Sequence, residues 1–521
     1  MDYSINSVVK KAILAMLIVS SFVITPPCQA LSSKKEEKKE FKEDWKELKN
    51  HQASPKWFAD AKLGIYFHWG VYSVPAYGNE WYPRNVHFKN RGIYKHHVKT
   101  YGNFDKFAYH DFVPMFKAEN FNAAEWVQLF EDAGAQFAGP VAEHHDGFSM
   151  WDSEVTPWNS MDKGPHKDIV GEMKKEMDKH GMKFITTFHH ARNLQRYSDR
   201  YEDEIANHKG RFQDSHYPYF PGTPPTTKDP ELAYLYGNIP EAEWNEKVWF
   251  GKLKEVIDKY QPDIIWFDSW LDRIPENYRK KFCTYYLQEA KKWHKDVVIV
   301  RKQNDLPIEF TVDDLEKSRK NKIEKHVWMT DETISKGSWC YTDNLKVKPS
   351  EDVLHVLIDI VSKNGVLLLN VSPKADGTIP QDQQKVLRDM GSWLKKYGES
   401  IYATRPWYTF GEGPTKEPDG HFNNHKKFLK IKYTEEDIRY TTKKNTVFAT
   451  ILGKVTPKRE YVLTAFNKAN NDHYGKVKGV KVLGSKHKIK WKLKEDGLHL
   501  TMPKGMEEDM ASVIKIHTQH L

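Results

Sequence analysis

The sequence predicts an α/β fold, a (β/α)8-like, TIM-type barrel followed by a C-terminal antiparallel β-sandwich. Three observations carry this expectation. Between about Trp57 and Trp407, short apolar runs alternate with longer amphipathic stretches, the pattern of repeated βα units. Several of these runs end directly in residues able to do chemistry; in a parallel barrel all strand ends open onto one face, whereas a doubly wound sheet gathers its site at one switch point. After Trp407 the chain turns to short alternating runs separated by Gly, Asn and Lys, which reads as a compact antiparallel domain.

In chain order, residues 1–30 have the make-up of a secretory signal. Lys10 and Lys11 precede an apolar run from Ala12 to Ile24, and Cys28-Gln29-Ala30 offers small residues for cleavage. The run is short for a membrane span, so the expectation is a secreted or periplasmic protein with no stable membrane insertion after cleavage. Residues 31–52 are dominated by Lys and Glu and read as an exposed helix or flexible tether. Residues 53–407 form the expected barrel. Its strands are 63–67, ending at His68; 137–142, before Glu143, His144 and His145; 183–188, before His189 and His190; 263–267, before Asp268; 297–300, before Arg301 and Lys302; and 366–371. Amphipathic helices are expected at 123–133, 169–180, 245–260, 278–293, 353–363 and 384–397. Residues 408–521 form the expected sandwich, with strands at 446–452, 460–465 and 488–493.

The net charge of +9 comes from 80 basic and 71 acidic residues spread along the chain, which argues against a concentrated nucleic-acid footprint. An attraction to acidic polymers, sulfated or carboxylated glycans among them, fits this balance. If cleavage follows Ala30, Cys283 and Cys340 remain, as one disulfide or as two buried thiols.

The segment from Pro262 to Trp270 is an apolar strand that delivers a carboxylate between tryptophans, making Asp268 the first catalytic candidate; its plainer reading is a helix cap. The pairs His144-His145 and His189-His190 raise the question of a metal. Adjacent residues on a strand point to opposite faces, so each pair places one ring inward, and no HExxH-type spacing accompanies them. No metal and no cofactor is expected; neutral histidines bonded to hydroxyls are. His68, with Glu80 and Trp81, adds an imidazole, a carboxylate and an aromatic platform suited to a polyhydroxylated ligand.

These segments resemble the α-L-fucosidases of glycoside hydrolase family 29. The resemblance is carried by Trp57-Phe58 with Gly64 to Gly70, Glu80-Trp81-Tyr82, Phe121 to Trp126, Glu143 to Phe148, Trp151-Asp152-Ser153, Trp266-Phe267-Asp268, and Lys363 to Asn370. It implies a retaining, exo-acting hydrolase of terminal α-L-fucosyl residues on glycans; sulfated fucans as substrates are an expectation from the basic charge balance alone. Asp268 matches the nucleophile. His68, Glu80, Trp81, His144 and His145 match fucose-contacting positions, and His189 and Trp266 match further pocket walls. The family's basic residue falls at Lys302, beside Arg301, and Arg and Lys differ in fork geometry. The acid/base departs from the pattern: many relatives place a Glu after the Trp of the segment beginning at Trp328, and here that residue is Met329. Glu316, then Asp331, then Glu332 are the substitutes. A binding-only relative and an α-L-galactosidase are the alternative readings.

Overall fold

The computed structural model describes residues 41–88, 90–103, 106–193, 230–237, 239–268, 271–418, 424–506 and 508–519. The expected signal segment lies outside these residues, as do Ser269 and Trp270. Eight strands close into a barrel in simple order: β1 Leu63–Phe67, β2 Phe137–Glu143, β3 Lys183–Phe188, β4 Ile264–Phe267, β5 Val298–Arg301, β6 Val312–Asp314, β7 Trp328–Thr333 and β8 Gly365–Val371. All neighbours are parallel, and β8 returns to β1 with Gly64 opposite Leu368 and Tyr66 opposite Asn370. Outside the strands run α1 Ala123–Asp132, α2 Ile169–Lys179, α3 Gly251–Tyr260, α4 Glu276–Lys292, α5 Ser350–Ser362 and α6 Gln381–Tyr397. Among the described residues no α-helix separates β5 from β6 or β6 from β7.

The barrel interior follows from the two-residue repeat of a strand. Tyr66, Phe137, Val141, Ile185, Ile264, Trp266, Val298, Val300, Val312, Met329, Val366 and Leu368 form one buried apolar cluster inside the ring. The alternate residues, such as Ile65, Phe67, Phe184, Ile299 and Leu367, pack outward with the helices. Gly139 permits the approach of β2 to β3, since a Cβ there would fall 1.8 Å from the Ile185 carbonyl oxygen. A register shift between Val141 and Glu143 then breaks the alternation at the end of β2. Glu143 therefore leaves the barrel mouth and pairs with Lys252 of α3 at 2.7 Å, both side chains fully buried, with Ser149 Oγ donating to the same carboxylate.

The C-terminal strands are β9 Arg405–Glu412, β10 Ile438–Thr442, β11 Thr446–Ile451, β12 Glu460–Leu463, β13 Val477–Val482, β14 Lys490–Lys494, β15 Gly497–Thr501 and β16 Ser512–Thr518. They form an antiparallel sheet in the order β13-β16-β11-β10-β9 and another in the order β12-β15-β14. Val447, Ala449 and Ile451 from the first sheet share a core with Tyr461, Leu463, Leu498 and Leu500 from the second. The intervening Phe448 and Val513 face the other way and join the core of the barrel. A buried ion network seals this junction: Arg439 of β10 reaches Asp359 of α5 at 2.6 Å and Glu417 at 2.8 Å, while Lys363 bridges Asp359 and Glu417.

The chain just before the barrel is not a free tether over its described part. Trp45 stacks on Phe310 and donates its indole N–H to Glu276 at 2.8 Å, and Leu48 is fully buried. Phe41, Trp45 and Leu48, apolar side chains on an otherwise charged stretch, dock it against the core. Cys283 and Cys340 are buried free thiols. No helix among the described residues is long and apolar enough to cross a membrane.

Removing one partner of a buried pair leaves a stranded charge, at a cost of about 3–5 kcal/mol. Lys252→Ala is accordingly expected to lower the unfolding free energy by that amount in a urea titration, and a change under about 1 kcal/mol would show that Lys252 does not hold the Glu143 charge.

Candidate active site

The barrel's C-terminal mouth is built by extending the interior pattern by one more step. Two residues beyond Tyr66 is His68; beyond Trp266, Asp268; beyond Val300, Lys302; beyond Val312, Asp314 and then Glu316; beyond Met329, Asp331; beyond Leu368, Asn370. A parallel barrel aims all of these toward one end. An apolar floor thus carries a polar layer whose members come from six different strands.

Lys302 is the hub of that layer. Its Nζ lies 3.3 Å from Asp268 Oδ1, 3.0 Å from Glu316 Oε2 and 3.0 Å from Asp331 Oδ2, over the Trp266 ring at 4.7 Å. An ammonium has three donors, and each finds a carboxylate. Burial alone would raise the pKa of Asp268, but the Lys302 charge, the largest opposing influence, holds it well below the usual carboxylate range. Glu316 shifts the other way: burial, with Asp331 and Asp268 nearby, raises its pKa against the opposing pull of Lys302. Asp268 and Glu316 both touch one nitrogen, so their contacting oxygens are no farther apart than those two contacts laid end to end. That limit is below the roughly 6.5–9.5 Å of inverting carboxyl pairs and compatible with the roughly 5–5.5 Å of retaining pairs.

Opposite the hub stands a wall of imidazoles. His144 lies against His189 and His68, with ring centroids 4.5 and 5.5 Å away. His68 in turn stacks on Trp339 at 5.3 Å. His68 has a determined tautomer. Asn370 receives the His68 backbone N–H on Oδ1, while its Nδ2 donates to Trp339 O and Thr333 Oγ1. The His68 Nδ1 that touches the same Oδ1 at 2.8 Å must therefore be the donor, leaving a lone pair on Nε2. Burial pushes the His68 pKa down to about 3 and lowers that of His189, so both rings are neutral near pH 7. His145 faces Asp268 through Nε2 at 3.2 Å and donates from Nδ1 to His189 O, and Trp81 lies against its ring at 4.6 Å. Glu80 accepts from Trp339 N at 3.0 Å and Ser338 Oγ at 3.2 Å. The ligand atoms of His68, His144 and His189 lie within 4.8 Å of one another, a spacing that could also hold a metal ion.

The structure brings together His68, Glu80, Trp81, His144, His145, His189, Trp266, Asp268, Lys302, Glu316 and Asp331. Three expectations are corrected. His144 and His145 both serve the mouth, because the strand ends at Glu143 and the chain turns through Gly147, at φ +77°. Glu143 and Arg301 point away: Arg301 bonds Gln303 O at 2.6 Å and faces Asp313. Glu332 is directed to Lys348 at 2.8 Å, outside the cluster, which removes it as an acid/base substitute. The His189-His190 pair does split as expected, with His190 stacked on Trp249. Sequence reasoning missed Tyr66, which donates to Asp331 Oδ2 at 3.2 Å, and Trp339. It also missed Asp314, whose pKa is pushed well above the carboxylate range by burial and by adjacent Asp331. Parity would have found Tyr66, two residues before His68.

Met329 occupies the interior layer, opposite Val366 and below Asp331. A carboxyl at 329 would be buried beneath the Lys302 cluster.

Two carboxyls of divergent acidity on a shared cation, facing imidazole and indole at the mouth of a closed parallel barrel, define a glycoside hydrolase. The chain belongs to the alpha-L-fucosidase family, whose model matches residues 28–399; the model of the alpha-L-fucosidase C-terminal domain matches residues 432–517. It is 29% identical to the tissue alpha-L-fucosidase of Rattus norvegicus over 78% of each chain. It is 30% identical to the plasma alpha-L-fucosidase of Homo sapiens over 73% of this chain and 75% of that one. The solved structure of Thermotoga maritima alpha-fucosidase in complex with fucose superposes with a TM-score of 0.70 at 27% identity, covering 91% of this chain and 99% of that one.

Because Met329 is floor and not machinery, Met329→Leu is expected to leave turnover of an aryl α-L-fucoside within about threefold of wild type and to shift stability by less than about 1.5 kcal/mol. A collapse of turnover with stability unchanged would place Met329 in the chemistry.

Proposed function

We propose that this protein removes terminal α-L-fucosyl residues from glycans with retention of configuration, through a covalent intermediate on Asp268. The observation that carries the reading is the pairing of Asp268 and Glu316 on Lys302, with one carboxyl's pKa depressed and the other's raised. Asp268, anionic, attacks the anomeric carbon as the glycosidic C–O bond breaks, and Glu316 gives its proton to the departing oxygen. Water then enters; Glu316 takes one of its protons, the remaining hydroxide attacks the anomeric carbon, and Asp268 leaves as a carboxylate. The atoms balance, and both carboxyls return to their starting states. Lys302 and Asp331 hold the pair at working distance.

In this reading the lone pair on His68 Nε2 accepts a sugar hydroxyl, so this ring acts as an acceptor there and not as a donor. Glu80, His144, His145 and His189 supply the remaining polar contacts, and Trp81 and Trp266 the apolar wall for the C5 methyl. A hydrophobic wall rejects an added hydroxyl only modestly, which leaves room for slow α-L-galactoside cleavage. A carboxyl at Glu316, on the same Lys302 as Asp268, supports catalysis over the binding-only alternative. Sulfated fucans fit the basic balance as substrates, and the signal-like residues 1–30 support export to the periplasm or medium. The expected divide at 407/408 falls inside β9 (Arg405–Glu412), a strand of the five-stranded sheet, so we take residues 53–404 as the catalytic barrel and 405–521 as the sandwich.

Asp268→Gly is expected to abolish hydrolysis of an aryl α-L-fucoside with an activated leaving group, while Glu316→Gly retains more activity on that substrate than on a natural glycan and is rescued by azide. Equal losses on both substrates without rescue would move the acid role to Asp331. Turnover undiminished in excess chelator separates this mechanism from one using a metal on the three imidazoles.

The pH profile provides a second test. Activity needs Asp268 ionised and Glu316 protonated, so kcat/KM falls below the first pKa and above the second. Lys302 lowers both pKa values; its removal raises both, and Lys302→Met is expected to slow turnover and displace both limbs of the profile to higher pH. A profile that keeps its position while losing height would refute the electrostatic role of Lys302.

A further inference from the structure

Five lysines, Lys486, Lys488, Lys490, Lys492 and Lys494, occupy every second position of one short segment, interleaved with His487, Ile489, Trp491 and Leu493. The second half of this segment is β14, the outer strand of the three-stranded sheet, paired on one side only, to β15. Register assigns its faces. Trp491 and Leu493 lie opposite the buried Leu500 and Leu498, on the core side. Lys490, Lys492 and Lys494 lie opposite Thr501, His499 and Gly497, on the outer side. All five lysines are exposed, and Trp491 and Leu493 are each 38% exposed at the rim. Lys494 approaches Glu460 at 3.8 Å; among the described residues the other four have no carboxylate at ion-pair distance.

Lysines on an edge strand protect the sheet from pairing with other edges. That role requires charge only along the open backbone ladder. Lys486 and Lys488 precede the strand, and the exposed indole and leucine beside the row would work against such protection. Alternate residues of a strand repeat about every 6.8 Å, so Lys490, Lys492 and Lys494 form a linear row of positive charge on the outer face, with the rim-exposed Trp491 ring at its margin. A row of this form complements a linear polyanion whose units also present an apolar face to an indole.

We infer that the 486–494 edge of the sandwich is a docking surface for a linear sulfated glycan, separate from the barrel mouth. The choice of a glycan over another polyanion rests on the proposed glycosidase activity of the same chain, for which such a surface would concentrate substrate near the barrel.

The test uses the full chain and an immobilised sulfated fucan, with the same polymer desulfated and a DNA duplex of matched charge as comparators. Wild type is expected to bind the sulfated polymer over the other two. The triple substitution Lys488→Gln, Lys490→Gln and Lys492→Gln is expected to bind about tenfold more weakly, with a shallower dependence on salt, because fewer counterions are exchanged. Trp491→Ala is expected to weaken binding without changing the salt slope. Hydrolysis of a small aryl α-L-fucoside should be unaltered in every variant, which also reports that they fold. Unchanged binding by the triple variant overturns the inference in favour of simple edge protection. Equal retention on DNA overturns the glycan assignment. Lysine-dependent glycan binding in a protein that cleaves no fucoside would sink the proposed function while leaving the docking surface standing.

Discussion

The distance between Asp268 and Glu316 is set by one ammonium group. Lys302 is buried among three carboxylates delivered by β4, by β7 and by the segment after β6. Taking so many charges out of water is costly unless each is paired in good geometry, and here the geometry is supplied by strands whose register is locked around a closed ring. A guanidinium would present a planar fork; the tetrahedral ammonium instead presents three donors in three directions, which suits carboxyls arriving from both sides of β5, from β4 on one side and from β6 and β7 on the other. The divergent acidities of Asp268 and Glu316 depend on this arrangement, since one cation opposes burial at both carboxyls and prevails only at Asp268.

The opposite wall is held with comparable definition. Asn370, at the end of β8, accepts from His68 twice and donates to Trp339 and Thr333, so one carboxamide sets a tautomer, a ring plane and the path of the segment after β7. The sandwich reinforces the same part of the barrel. Asp359 and Lys363, in α5 and at its C-terminal end, lie between the strands that carry Asp331 and Asn370, and both are tied to the sandwich side through Arg439 and Glu417. A buried ionic junction of this kind tolerates little displacement, because each lost partner strands a charge.

Much of the barrel was legible in the sequence because most strands are continuous apolar runs, as strands buried on both faces must be. β6 and β7 were not. They read Val312-Asp313-Asp314 and Trp328-Met329-Thr330-Asp331-Glu332-Thr333, too acidic to look like barrel strands. Asp331 and Asp314 are accommodated beside Lys302, Glu332 beside Lys348, and those partners lie 12 to 29 residues away in sequence. Met329 looked like a lost catalytic acid for the same reason: without the register, nothing showed that position 329 belongs to the apolar floor.

Local pattern by itself determined which residues could reach the barrel mouth, since the two-residue repeat of a strand carries from Trp266 to Asp268, from Val300 to Lys302 and from Tyr66 to His68. It also carries the alternating lysines of 486–494 and the change of texture near Trp407, although the sheet domain itself begins with β9 at Arg405. Tertiary structure alone decided which carboxyls share Lys302 with Asp268, which histidine tautomer faces the cavity and where Glu143 points. Those outcomes depend on a bulge, a ring closure and contacts between residues distant along the chain. Their energies come from burial and from partners brought together only when the barrel closes.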